Sequence, residues 1–174
     1  MIDVSKTSAQ CFSKASDANQ RMKLFKSLCN SPESLIRYAS FSEEKYQRIR
    51  LAKSTEYELL LLCWLPGQSA SFHDHGSSEC LMSCLNGQLV ETTSALGKAG
   101  CTQKHLLAAK EVRYLAGSDI HKVENCSDFG AISLHLYAPP INRCGIYCAD
   151  LELVSEVDIH PDEIKDSFTL ENTD

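Results

Sequence analysis

At 174 residues the chain suits one domain, large enough to bury roughly 70% of the surface its unfolded form exposes. A net charge of -6 and a pI near 5.5, with no basic patch, argue against nucleic-acid or anionic-membrane binding and point to small-molecule partners. The first residues lack an apolar leader core, and the longest apolar run, LLLLCWL, is far shorter than the roughly 20 residues of a membrane helix. A cytoplasmic protein is therefore expected, and a monomer is the expected state; nine cysteines, odd in number and irregular in spacing, read as reduced thiols rather than a disulfide framework.

In chain order, ANQRMKLFKSLC has helical periodicity, and SPESLIRYA offers Ser31 as N-cap, Pro32 at the first helical position and Glu33 in the first turn. Two short helices should therefore precede residue 45. From there on, short runs rich in Leu, Ile, Val, Tyr and Cys are broken by LPGQS, LNGQ, LGKAG, LAGSD and NCSDFG, the punctuation of a many-stranded antiparallel barrel or sandwich. The expected division is a mostly helical region 1–44, a β-barrel 45–156 and an acidic tail 157–174, partly helical around PDEIKDSF. There is no repeat and no linker long enough to separate two domains.

Two strands carry an anomaly. In AISLHLYAPP, period-2 alternation sets Ile132, Leu134 and Leu136 on one face and Ser133, His135 and Tyr137 on the other. In EKYQRIRLA the same rule aligns Tyr46, Arg48 and Arg50. A polar strand face is either solvated or turned into a functional interior, and two such strands suggest a shared polar cavity. The stretch FHDHGSSECLMSCLNG then sets His73 and His75 at i and i+2, on one side of a strand, so that both imidazoles can reach one metal. A lone His-x-His is weak, but this one stands in Gly67-x5-His73-x-His75-x4-Cys80-x6-Gly87, with His121-x3-Asn125 downstream.

That combination resembles the cupin superfamily, whose first motif carries a glutamate where Cys80 stands, or where Glu79 would stand with a gap one residue shorter. The resemblance implies a mainly β fold, a double-stranded β-barrel (jelly-roll) behind short N-terminal helices. LLLLCW, HDHGSSEC, HKVEN and SLHLYAPP occur in the order and approximate spacing of the cysteine dioxygenases, in which cysteine replaces the cupin glutamate. By this similarity His73, His75 and His121 match the ligands of one Fe(II) per subunit, and Arg48, helped by Tyr46, matches the holder of the substrate carboxylate. Cys80 and Tyr137 match the partners of a thioether cross-link. Ser133 and His135 match positions around the metal, and Cys144 and Trp64 match channel positions.

The implied activity is dioxygenation of L-cysteine by O2 to cysteine sulfinic acid. The alternatives are another small thiol such as 3-mercaptopropionate, whose enzymes typically lack the arginine, or a metal-binding cupin without redox chemistry. The residue chemistry agrees with the first. Three neutral imidazoles leave a divalent charge uncompensated and favour an anionic thiolate. Arginine offers a planar fork for a carboxylate. Ser133, His135 and Tyr137, at i, i+2 and i+4, can form a hydrogen-bonded line that orients the phenol. Arg50 is the chief rival of Arg48. Cys63, Cys84, Cys101, Cys126 and Cys148 read as packing thiols, and His105 as incidental.

Overall fold

The computed structural model describes residues 17–94, 102–159 and 164–166. Helix α1 (Ala18–Asn30) starts at Asp17, whose carboxylate accepts the Gln20 amide at 2.8 Å and satisfies one of the donors left open at a helix start. Ser31, expected to cap the second helix, instead closes the first, its amide donating to the Leu28 carbonyl at 3.1 Å. Pro32 takes the cap of α2 (Glu33–Ile36), because its φ of -71° is already helical and the link is too short for a separate extended residue.

Twelve strands follow among the described residues: β1 (Gln47–Lys53), β2 (Glu58–Trp64), β3 (Phe72–His73), β4 (Glu79–Asn86), β5 (Leu89–Ser94), β6 (Thr102–Leu107), β7 (Arg113–Leu115), β8 (His121–Glu124), β9 (Ala131–Ala138), β10 (Arg143–Tyr147), β11 (Leu153–Asp158) and β12 (Ile164–Asp166). They make two six-stranded sheets, ordered β12-β1-β2-β9-β4-β7 and β11-β10-β3-β8-β5-β6. Pairing is antiparallel except that β12 lies parallel on β1, with Ile164 opposite Arg48. The helical reading of PDEIKDSF is thus corrected at 164–166. A strand there covers the otherwise open edge of β1 and buries Ile164 in the barrel. The LGKAG turn, Cys101 and residues 160–163 and 167–174 of the acidic tail lie outside the described residues.

The first sheet is buried on both faces. Leu59, Leu61 and Cys63 of β2 join Leu134 and Leu136 of β9 in a cluster with Phe25, Cys29 and Leu35 from the helices. Leu60, Leu62 and Trp64 of the same strand join Cys80, Met82 and Tyr137, and Leu89, Val123 and Cys144 of the second sheet, in the barrel interior. Two-sided burial is why LLLLCW is an unbroken apolar run, and each buried leucine contributes about 1.5–3 kcal/mol. The polar face of β9 therefore turns inward, where Ser133, His135 and Tyr137 are all buried.

Burial raises the Cys63 and Cys84 thiols to about 11, as packing residues should behave. Cys126 differs: it is exposed in the turn after β8, its thiol 3.3 Å from the Glu124 carboxylate, and Cys148 is only half-buried. His105 on β6 pairs with Glu111 at 2.9 Å, away from the other histidines of interest. No helix among the described residues is long and apolar enough to cross a membrane.

Candidate metal centre

The second sheet and the loop beyond β3 bring His73, His75 and His121 together, with one nitrogen of each within 4.8 Å of the others. His73 and His121 face each other across the β3–β8 pair. His75 arrives by a different route from the one its spacing suggests. β3 ends at His73, so strand alternation does not aim His75. Its amide instead donates to the Gly117 carbonyl at 2.8 Å, which ties the loop after β3 to the turn before β8. Gly117 allows this because a Cβ there would stand 2.2 Å from the Gly76 carbonyl oxygen.

The donor set fits a divalent metal. His73 Nδ1 lies 2.8 Å from the Ser71 carbonyl and His121 Nδ1 3.0 Å from Glu91 Oε1, so both rings carry their proton on Nδ1 and turn an Nε2 lone pair inward. His75 Nε2 is 3.2 Å from His121 Nε2, and its own Nδ1 is buried without a hydrogen-bond partner among the described residues. Burial, reinforced by the neighbouring imidazoles, lowers His73 to about 3 and His75 further, so both are neutral near pH 7, the form that ligates. No carboxylate belongs to the cluster among the described residues. Glu79 faces outward, where it accepts from the Tyr114 hydroxyl at 3.0 Å. Cys80, buried in the interior opposite Tyr137, has its thiol held up by burial, then by the Glu91 charge, against a hydrogen bond with Tyr137.

A second line of hydrogen bonds runs down β9. The Trp64 indole, which can only donate, reaches Ser133 Oγ at 3.0 Å; Ser133 Oγ is 2.9 Å from His135 Nε2; and His135 Nδ1 is 3.4 Å from the Tyr137 hydroxyl. Ser133 Oγ accepts from the indole, and its own proton can go to His135 Nε2; in that tautomer the Nδ1 proton goes to the phenol oxygen and the Tyr137 proton is left to be donated onward. Burial also raises Tyr137 well above the ordinary phenol range and keeps it protonated.

Arg48 Nη2 donates to the Tyr46 hydroxyl at 2.8 Å, and the Tyr46 ring stacks on Trp64 with centroids 4.2 Å apart. Both residues line a small inner cavity of about 20 Å³ with His73, His121, His135 and Tyr137. They also line an outer pocket of about 340 Å³ that Cys144 borders. Cys144 thus borders the outer pocket, whereas Trp64 is buried in the wall of the inner cavity and acts as a hydrogen-bond donor. Arg50, the rival, bonds Glu58 at 2.8 Å.

Glu91 and Arg113 escape a reading by motif. Glu91 has no exposed surface, yet Oε1 faces His121 and Oε2 accepts from Arg113 Nε at 2.9 Å. Burial alone would raise Glu91, but its bonds to His121 and Arg113 outweigh that and hold it below the usual carboxylate range. The available signal was a charged residue two places from Leu89, on the same strand face.

Two facing sheets that enclose a three-histidine centre define a cupin. A double-stranded beta-helix protein from Klebsiella pneumoniae (TM-score 0.51, 16% identity, 59% of this chain and 84% of that one) and an RmlC-like cupin from Desulfovibrio desulfuricans (0.50, 18%, 59% and 91%) share the fold. A protein from Thermus thermophilus matches at TM-score 0.55 and 27% identity, over 61% of this chain and 94% of its own. The chain belongs to the cysteine dioxygenase type I family, whose model matches residues 3–149. It is 32% identical to cysteine dioxygenase type 1 of Danio rerio over 82% of this chain and 76% of the relative. Against the Homo sapiens protein of that name it is 32% identical over 66% of this chain, and spans 62% of that relative's length.

Proposed function

We propose that this chain is an iron-dependent thiol dioxygenase that converts L-cysteine and O2 to cysteine sulfinic acid, with both oxygen atoms ending on sulfur. The observation that carries the reading is a three-histidine cluster, two of whose members, His73 and His121, line one cavity with Arg48 and its Tyr46 partner. Ferrous iron, held by His73, His75 and His121, would bind the thiolate and supply the electrons that activate O2.

The chain's own residues do the rest. The Arg48 fork and the Tyr46 hydroxyl hold the substrate carboxylate, and the Trp64 stack keeps Tyr46 in position. The buried walls of the inner cavity exclude bulk water and strengthen that ion pair. Tyr137, kept protonated by burial and oriented through His135, donates to the sulfur or to oxygen arriving on it. Cys80 and Tyr137, opposite one another in register, join by a thioether between Sγ and the ring carbon beside the hydroxyl, the two hydrogens lost passing to O2. With its sulfur engaged there, Cys80 does not compete with the substrate for the metal.

The test is metal analysis after anaerobic purification, followed by O2 uptake with cysteine, 3-mercaptopropionate and cysteamine. One O2 consumed per cysteine with formation of the sulfinic acid is expected. Preference for 3-mercaptopropionate would change the substrate, and bound zinc with no O2 uptake after iron loading would make the protein a non-redox cupin.

A further inference from the structure

The geometry points to Glu91 and Arg113 as positioning residues of the metal centre: Glu91 sets a carboxylate against His121, and Arg113 holds that carboxylate in place. This rests on reading the three histidines as metal ligands. The three imidazoles are not equivalent. Among the described residues, His73 Nδ1 meets a neutral carbonyl, His75 Nδ1 meets no partner, and His121 Nδ1 alone meets a carboxylate, at 3.0 Å. An ionised carboxylate only accepts, so it fixes the His121 tautomer with Nε2 facing the cluster and makes that nitrogen the strongest donor of the three.

The carboxylate itself needs support, because it is wholly buried. An isolated charge in that position would be strongly disfavoured, because burial strips it of water. Arg113 provides it, bonding Glu91 Oε2 at 2.9 Å while its own side chain remains 34% exposed. The link also crosses the barrel. Glu91 and His121 belong to β5 and β8 of one sheet, and Arg113 to β7, an edge of the other. With Cys80 on the interior face of β4, a carboxylate meets the histidine cluster one hydrogen bond further out, on His121 Nδ1.

The experiment is anaerobic titration of the full metal-free chain with Fe(II), alongside the visible absorption spectrum of the Co(II)-loaded protein. Glu91→Gln is expected to weaken Fe(II) binding by about 10- to 100-fold and to shift the Co(II) bands. Arg113→Gln should act in the same direction by several-fold, with Arg113→Lys recovering most of the loss. The double variant should be no weaker than Glu91→Gln alone, as expected for residues acting as one unit. A merely structural role would lower thermal stability and leave the cobalt spectrum unchanged. If wild type fails to bind, or His121→Ala binds as tightly, the ligand reading itself is wrong. If wild type binds while folded Glu91→Gln stays within about twofold of it with the same spectrum, the ligands stand and this inference falls. Should Glu91→Gln not fold, Arg113→Gln against Arg113→Lys decides by the same criteria.

Discussion

Two arginines two residues apart on β1 differ in their neighbours. Arg50 is engaged by the buried carboxylate of Glu58, while Arg48 lines the cavity of the histidines beside Tyr46. Removing a charge-assisted bond in such a site costs on the order of 2 to 5 kcal/mol. Arg48→Gln should therefore lower apparent affinity for cysteine by roughly 30-fold to a few thousand-fold, and cysteamine, lacking the carboxylate, should be a poor substrate of wild type. Unchanged cysteine kinetics in Arg48→Gln would remove this role. The pairing of Cys80 with Tyr137 is tested separately by mass. After turnover with iron and cysteine, intact mass should fall by two hydrogens, and a peptide map should join the two residues through a bond that reductant leaves intact. Cys80→Ala should abolish the joined species and retain partial activity. Fully active enzyme in which Cys80 is still alkylatable would contradict the proposal.

At the scale of elements, the centre depends on a strand of two residues and a loop. β3 delivers His73, and the His75–Gly117 backbone bond delivers the next ligand candidate. A Cβ at position 117 would meet backbone, which cannot rotate aside as a flexible side chain could. Gly117→Ala should accordingly weaken Fe(II) binding at least about tenfold, the loss typical when the surroundings of a ligand are disturbed. Gly67→Ala is the control. Gly67 has φ +78° and open space around its missing Cβ, so alanine there costs about 1 kcal/mol of stability through backbone strain and spares the metal. Equal Fe(II) affinities in the two variants would show that the Gly117 contact does not hold the site.

For the molecule as a whole, the buried imidazoles link stability to pH. Burial pulls His135, at 3% exposure, down to about 3, and pulls His75, at 1%, below the ordinary range as well. In the unfolded chain both titrate near about 6.5. Below that pH the unfolded state binds protons that the folded state refuses, so stability is lost as pH falls from about 6.5 toward 3. Each imidazole contributes a slope of up to about 1.4 kcal/mol per pH unit. Glu91, held low when folded, acts in the same direction: its contribution is present above the unfolded carboxylate pKa and is lost as pH falls through the folded one. The urea midpoint of the metal-free protein should drop from pH 7 to 6 to 5, and His135→Gln should flatten the dependence. A midpoint equal at pH 7 and 5 would show that these rings are not held neutral.

The sequence by itself determined which strands are two-faced, because side chains alternate with period 2 whatever the strand's neighbours are. Ser133, His135 and Tyr137 could be assigned to one face of β9, and the histidine and cysteine spacing to a cupin motif, before any contact was known. Alternation does not say what covers a face. Only the tertiary structure decided that the polar face of β9 is interior, that Trp64 heads its hydrogen-bond line, and that Arg50 belongs to Glu58. The same holds for Ile164, where local propensity favoured a helix and the open edge of β1 imposed a strand. Glu91 and Arg113 are the clearest case. They lie 22 residues apart on strands of different sheets, and a pair formed across a barrel leaves no periodic trace along the chain.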